Sequence, residues 1–154
     1  MASSTELRVG EIVAAHSGLE GPLLPILHAV QAAFGHVPRE ALPVIADGLN
    51  LSRAEVHGVA GFYRDFRPAP AGRHVLKLCR AEACQSMGGE VLARQLLDRF
   101  AIGWDGTTAD GRLTVEATYC LGLCACAPAA MLDGQPIGRL DRATLDDIVR
   151  EVEP

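Results

Sequence analysis

His74-Val-Leu-Lys-Leu-Cys79-Arg-Ala-Glu-Ala-Cys84 is the stretch on which the reading of the fold turns. Its first five residues predict a buried strand, and the strand runs straight into a pair of cysteines. Downstream, residues 88–100 predict an amphipathic helix with Val91, Leu92, Leu96 and Phe100 turned inward. Residues 113–119 alternate as a second strand, which again ends on cysteines, in Cys120-Leu-Gly-Leu-Cys124. A hairpin is expected from residues 129–133 and 136–140 around the turn at Asp133-Gly134. Asp141 then caps a last helix carrying Leu145, Ile148 and Val149. Strand, helix, strand, hairpin and helix make a small α/β order.

Upstream the pattern is helical. Val9, Ile12 and Val13 make a short apolar face ahead of Gly18. Leu23, Leu27, Val30 and Phe34 recur at steps of four, three and four, one stripe of a helix that Gly35 stops. Pro22 and Pro25 fit its first turn, where a missing N–H costs little. A third helix is expected over residues 39–49. Ser52 and Glu55 form a capping box for a fourth, each side chain satisfying the other's backbone N–H. Arg67-Pro-Ala-Pro-Ala-Gly-Arg73 is a Pro/Gly linker between the two patterns. The expected organisation is a helical domain over 1–70 and an α/β domain over 71–154.

Composition narrows the chemistry. Of 154 residues 49% are hydrophobic and 21% charged, a globular balance, and the net charge of −5 argues against non-specific nucleic-acid binding. No apolar run reaches the length a membrane span needs, about 18 residues. Residues 1–5 lack the basic-then-apolar pattern of a secretory leader, so the expected location is the cytoplasm. There cysteines stay reduced, and clustered ones tend to be ligands or catalysts. All five cysteines lie between Cys79 and Cys126.

Cys79, Cys84, Cys120 and Cys124 are spaced C-x4-C and C-x3-C, each pair following a strand. If those strands are parallel neighbours, four thiolates meet at one edge of the sheet, a ligand set for one [2Fe–2S] cluster. Gly122 allows a tight loop that turns backbone N–H groups toward sulfur, and Gly88-Gly89 open a helix whose N-terminus favours negative charge. Structural zinc, disulfides and buried thiols compete with this reading. Zinc pairs usually take C-x2-C spacing, and disulfides fit neither the compartment nor the odd count. Cys126 is read as a buried or neighbouring thiol rather than a fifth ligand. His16, His28, His36, His57 and His74 stand outside both cysteine loops, which leaves no Rieske-type pair. No phosphate-cradling glycine loop or catalytic triad is present, and without C-x-x-C a thiol–disulfide exchange role is disfavoured.

At these residues the chain resembles the thioredoxin-like [2Fe–2S] subunits of NADH dehydrogenase (complex I) and of related NAD-linked enzymes. The resemblance runs through Phe34-Gly-His-Val-Pro38, Glu55-Val-His-Gly-Val-Ala-Gly-Phe-Tyr63, Thr107-Thr108, Asp110-Gly111 and Cys120-Leu-Gly-Leu-Cys124 with Ala127-Pro128. Cys79-Arg-Ala-Glu-Ala-Cys84-Gln and Cys124-Ala-Cys126-Ala-Pro are most similar to the gamma subunit of NAD-dependent, molybdenum-containing formate dehydrogenases. The resemblance implies a thioredoxin-like [2Fe–2S] ferredoxin domain preceded by a helical bundle. It implies a non-catalytic electron-transfer subunit of a cytoplasmic oxidoreductase. Its partners would be a flavin (FMN) NAD-binding subunit and a molybdenum-containing formate-oxidising subunit, with no nucleic acid and no membrane. The equivalent subunit of complex I or of a NAD-reducing hydrogenase is the alternative, and a zinc-stabilised interaction module a more distant one.

Overall fold

A computed structural model describes residues 3–153; Met1 and Ala2, part of the stretch read for a leader, and Pro154 lie outside the described residues. The chain divides into two compact units, Met1–Pro70 and Ala71–Pro154.

Among its described residues the first unit holds four helices, α1 (Ser4–His16), α2 (Leu23–Phe34), α3 (Ala41–Leu49) and α4 (Arg53–Phe62). Local chemistry sets their ends. Ser3 and Glu6 close a capping box on α1, and Ser52 and Glu55 close one on α4, where the Ser52 N–H donates to Glu55 Oε2 at 2.8 Å. Gly35 ends α2 in the left-handed conformation, φ 75°, and its N–H donates to the Gln31 carbonyl at 2.7 Å. Asn50 ends α3 in the same way. The core is Val9, Ile12, Val13, Ile26, Leu27, Val30, Ile45, Val56 and Phe66. The expected α2 stripe is rotated slightly. Leu27 and Val30 are fully buried, Ile26 joins them, and Leu23 and Phe34 only flank the core.

The second unit is a five-stranded mixed sheet in the order β2-β3-β1-β4-β5. The strands are β1 (His74–Cys79), β2 (Gly106–Thr107), β3 (Leu113–Thr118), β4 (Ala130–Leu132) and β5 (Gln135–Ile137). β1 and β3 run parallel in the centre, and the other pairs are antiparallel. The β4–β5 turn is Asp133-Gly134, both at positive φ, which matches the twist of a two-residue hairpin. The helices are α5 (Glu82–Ser86), α6 (Gly89–Phe100) and α7 (Arg142–Val152). Asp141 caps α7, its carboxylate accepting the Thr144 N–H at 2.8 Å. Leu76, Leu78, Leu113 and Val115 from the sheet pack with Leu96, Leu97, Ile148 and Val149 from the helices.

In this unit three details depart from the sequence reading. Val91 is 58% exposed, whereas Ala93, Leu96 and Leu97 are buried. At about 100° per residue, Val91 lies on the far side of α6 from Ala93 and cannot share its stripe. The short helix α5 and the two-residue strand β2 were not anticipated. No described helix is long and apolar enough to cross a membrane.

Candidate metal centre

The parallel pairing of β1 and β3 brings the two cysteine loops together. Cys79 is the last residue of β1 and stands opposite Thr118, the last of β3, so Cys120 follows only two residues beyond. The Arg80 N–H donates to the Thr118 carbonyl at 2.8 Å, and the Cys79 N–H to the Ala129 carbonyl at 3.0 Å. The first candidate ligand position is thus tied to the sheet on both sides.

The second loop is shaped by two left-handed residues, Cys120 at φ 73° and Gly122 at φ 77°. They fold 120–124 back on itself and bring the Cys120 and Cys124 sulfurs to 3.6 Å. Glycine suits Gly122 because it has no Cβ to oppose that conformation, whereas Cys120 adopts it against a steric cost. Cys84 lies on α5, and α6 begins directly behind it. A Cβ on Gly89 would come within 2.7 Å of the Cys84 carbonyl oxygen, so this approach requires glycine.

The four thiols differ in exposure. Cys79 and Cys84 are buried, packed with Ala129 and rimmed by Ala81, Leu121, Leu123 and Ala127. Cys120 and Cys124 are exposed. They also act on one another. Burial pushes the Cys79 thiol up. The N–H groups of Ala81, Cys120 and Leu121 and the Cys84 thiol outweigh that and hold it below the ordinary cysteine value. Cys84 is pushed up by burial, then by its hydrogen bond to Cys79 and by the charges of Cys79 and Cys124. Cys124 is pushed up by its hydrogen bond to Cys120, by the Cys120 charge, by burial and by Cys79. Cys79, Cys84 and Cys124 therefore each sense a residue of the other loop. Like-charged thiolates resist sharing a small volume until cations neutralise them.

This donor set fits a two-iron cluster. A [2Fe–2S] cluster spreads four thiolates over two metals, two to each iron. The pairs Cys79/Cys84 and Cys120/Cys124 offer that division, and the N–H groups of Ala81, Cys120 and Leu121 supply hydrogen bonds to sulfur. Gly122 makes the tight turn the sequence assigns to it, and the N–H groups of Cys120 and Leu121 in that loop face sulfur. The Ala81 donor follows from α5, whose start sets the chain direction after Cys79, and no sequence pattern announced it.

Cys126 sits differently. It ends a 3-10 turn, Cys124–Cys126, and is half-buried. Its carbonyl accepts the Arg139 N–H at 2.5 Å, and a Cβ on Gly138 would meet its Cβ at 2.7 Å. Cys126 thus packs on the backbone that leaves β5. Of the five histidines, His74 bonds Asp133 at 2.7 Å at the opposite end of β1 from Cys79. His16 bonds its own helix.

A family profile described as thioredoxin-like [2Fe-2S] ferredoxin matches residues 9–153. The chain is 30% identical over 132 residues to the HndA subunit of the NADP-reducing hydrogenase of Solidesulfovibrio fructosivorans, covering 86% of this chain and 77% of that one. It is 38% identical over 112 residues to a subunit of the NADH-quinone oxidoreductase of Pseudomonas aeruginosa, covering 73% and 68%. Against the corresponding Mycobacterium bovis protein it is 34% identical over 128 residues, but spans only 51% of that relative. A chain of a NAD+-reducing [NiFe]-hydrogenase in the air-oxidized state superposes with a TM-score of 0.71 at 32% identity, covering 84% of this chain and 22% of that one. The match runs across both units and includes both cysteine loops. The chain belongs to the thioredoxin-like [2Fe–2S] ferredoxin family, whose cofactor is one [2Fe–2S] cluster.

Proposed function

We propose that the chain is the electron-transfer subunit of a cytoplasmic NAD-linked oxidoreductase, with Cys79, Cys84, Cys120 and Cys124 holding its cluster. The observation that carries the ligand set is the placement of two cysteine pairs at adjacent ends of parallel strands β1 and β3. When bound, the cluster takes up and returns one electron at a time. The chain's own residues do the rest. Cys79 and Cys84, packed among apolar side chains, would hold the cluster from the buried side, and Cys120 and Cys124 would hold it from the exposed side, where a partner can approach. The Ala81, Cys120 and Leu121 N–H groups favour negative sulfur and so favour the reduced state.

The partner proposed is a flavin (FMN) NAD-binding subunit, since flavin handles two electrons and needs a one-electron acceptor or donor beside it. We assign the whole complex as a NAD-dependent formate dehydrogenase whose molybdenum subunit oxidises formate. The support is the loop Cys79-Arg-Ala-Glu-Ala-Cys84-Gln85 together with Cys124-Ala-Cys126-Ala-Pro128. The equivalent subunit of complex I or of a NAD-reducing hydrogenase is the second reading, favoured by the named relatives.

Visible absorption and low-temperature EPR, before and after dithionite, test the cluster. A red-brown protein that gains a rhombic one-electron signal is expected, and a colourless zinc protein would refute the reading. Purification of the native complex tests the assignment. Recovery with flavin and molybdenum subunits is expected; recovery with hydrogenase or complex I subunits would overturn the formate dehydrogenase assignment and leave the cluster in place.

A further inference from the structure

Arg80 lies between Cys79 and Cys84, and its backbone and side chain are both engaged. Its N–H extends the β1–β3 ladder to Thr118. Its carbonyl accepts from Gln85 Nε2 at 2.6 Å, across the loop that carries Cys84. Its guanidinium lies 4.6 Å from the Trp104 ring centroid and donates from Nε to Glu90 Oε2 at 3.3 Å. Glu90 stands in the first turn of α6, next to Gly89, the residue that meets the Cys84 carbonyl. One side chain therefore joins the support of the first ligand to the support of the second.

We infer that Arg80 and Glu90 form a charge-balanced clamp that positions the Cys79–Cys84 loop and holds the reduction potential of the cluster against the shift that either charge alone would impose. The inference rests on the ligand set proposed above. Reduction adds negative charge, so a nearby cation favours it and a nearby carboxylate opposes it. The pair is half-exposed, 30% and 36% for the two side chains, so water screens it only in part. While the pair is intact the two charges offset. Removing either leaves the other acting alone. Stacking on Trp104 keeps the cation in place when the carboxylate is gone. Arg80 and Glu90 are positioning residues, because neither needs to touch the cluster to act.

The test is an EPR-monitored redox titration of the full reconstituted chain. Arg80→Gln leaves Glu90 uncompensated and is expected to shift the oxidised-to-reduced balance at least threefold toward the oxidised form, about 30 mV lower at 59 mV per decade. Glu90→Gln is expected to shift it upward, and Arg80→Lys to stay near wild type because the charge remains. A loop with a purely structural role would not give shifts of opposite sign. Unchanged potentials in Arg80→Gln and Glu90→Gln with full clusters would overturn the clamp. If Arg80→Gln fails to hold a cluster, Glu90→Gln decides alone, an upward shift supporting the clamp and no shift refuting it. A wild-type chain with no [2Fe–2S] signal would instead remove the ligand reading, and the clamp with it.

Discussion

At the residue scale the site separates thiols that differ in burial and surroundings rather than in kind. Cys79→Ser, Cys84→Ser, Cys120→Ser and Cys124→Ser should each impair cluster assembly, read as lost iron and acid-labile sulfide per chain. Cys126→Ser should keep a full cluster, because its backbone carbonyl and its packing on Gly138 survive the change. A normal cluster in Cys79→Ser or Cys120→Ser would sink the ligand assignment. Gly89→Ala makes a sharper test of geometry. The new methyl would meet a backbone carbonyl, not a flexible side-chain end, so α6 must move away from Cys84. A loss of about 1–3 kcal/mol in unfolding free energy is expected, with reduced cluster occupancy. Unchanged occupancy would mean that the approach of α6 to Cys84 is not needed.

At the scale of elements, the capping interactions give predictions with a sign. Ser52→Ala removes one half of the α4 box and should cost about 1 kcal/mol, checked by urea unfolding. Asp141 caps α7, and its hydrogen bonds from Thr144 hold its carboxyl below the usual value. A depressed folded value means its contribution is full above the unfolded carboxylate range, near pH ~3.9. It is lost as pH falls through the folded value. The stability gap between wild type and Asp141→Ala should therefore be constant at neutral pH and close in acid; a gap that persists in strong acid would show that the carboxylate is not the source. These caps were legible in the sequence, as were β1, β3, the β4–β5 turn and the two cysteine pairs, since each depends on local pattern. What was not legible depends on tertiary position. The left-handed Cys120, the N–H groups aimed at Cys79 and the outward face of Val91 are settled only when the sheet and α6 pack together. Helix α5, five residues long, is too short to show a period.

At the scale of the whole molecule, the candidate ligands all belong to the Ala71–Pro154 unit, and the Met1–Pro70 unit contains no cysteine. If the Met1–Pro70 and Ala71–Pro154 units fold independently, calorimetry of the full chain should resolve two unfolding transitions; a single two-state transition would argue for a single folding unit. Leu76→Ala, at the centre of the sheet, should cost about 2–5 kcal/mol and should lower the melting of the second unit alone. The unequal exposure of the cysteine pairs also governs how a chain without its cluster ages. Cys120 and Cys124 stand open to dissolved oxygen with their sulfurs close together, while Cys79 and Cys84 are shielded. Storage in air should first remove two electrons and two protons from the open pair and join it as a disulfide. Peptide mapping after alkylation would find that link between Cys120 and Cys124, and the shelf life of a loadable protein would be the lifetime of those two thiols.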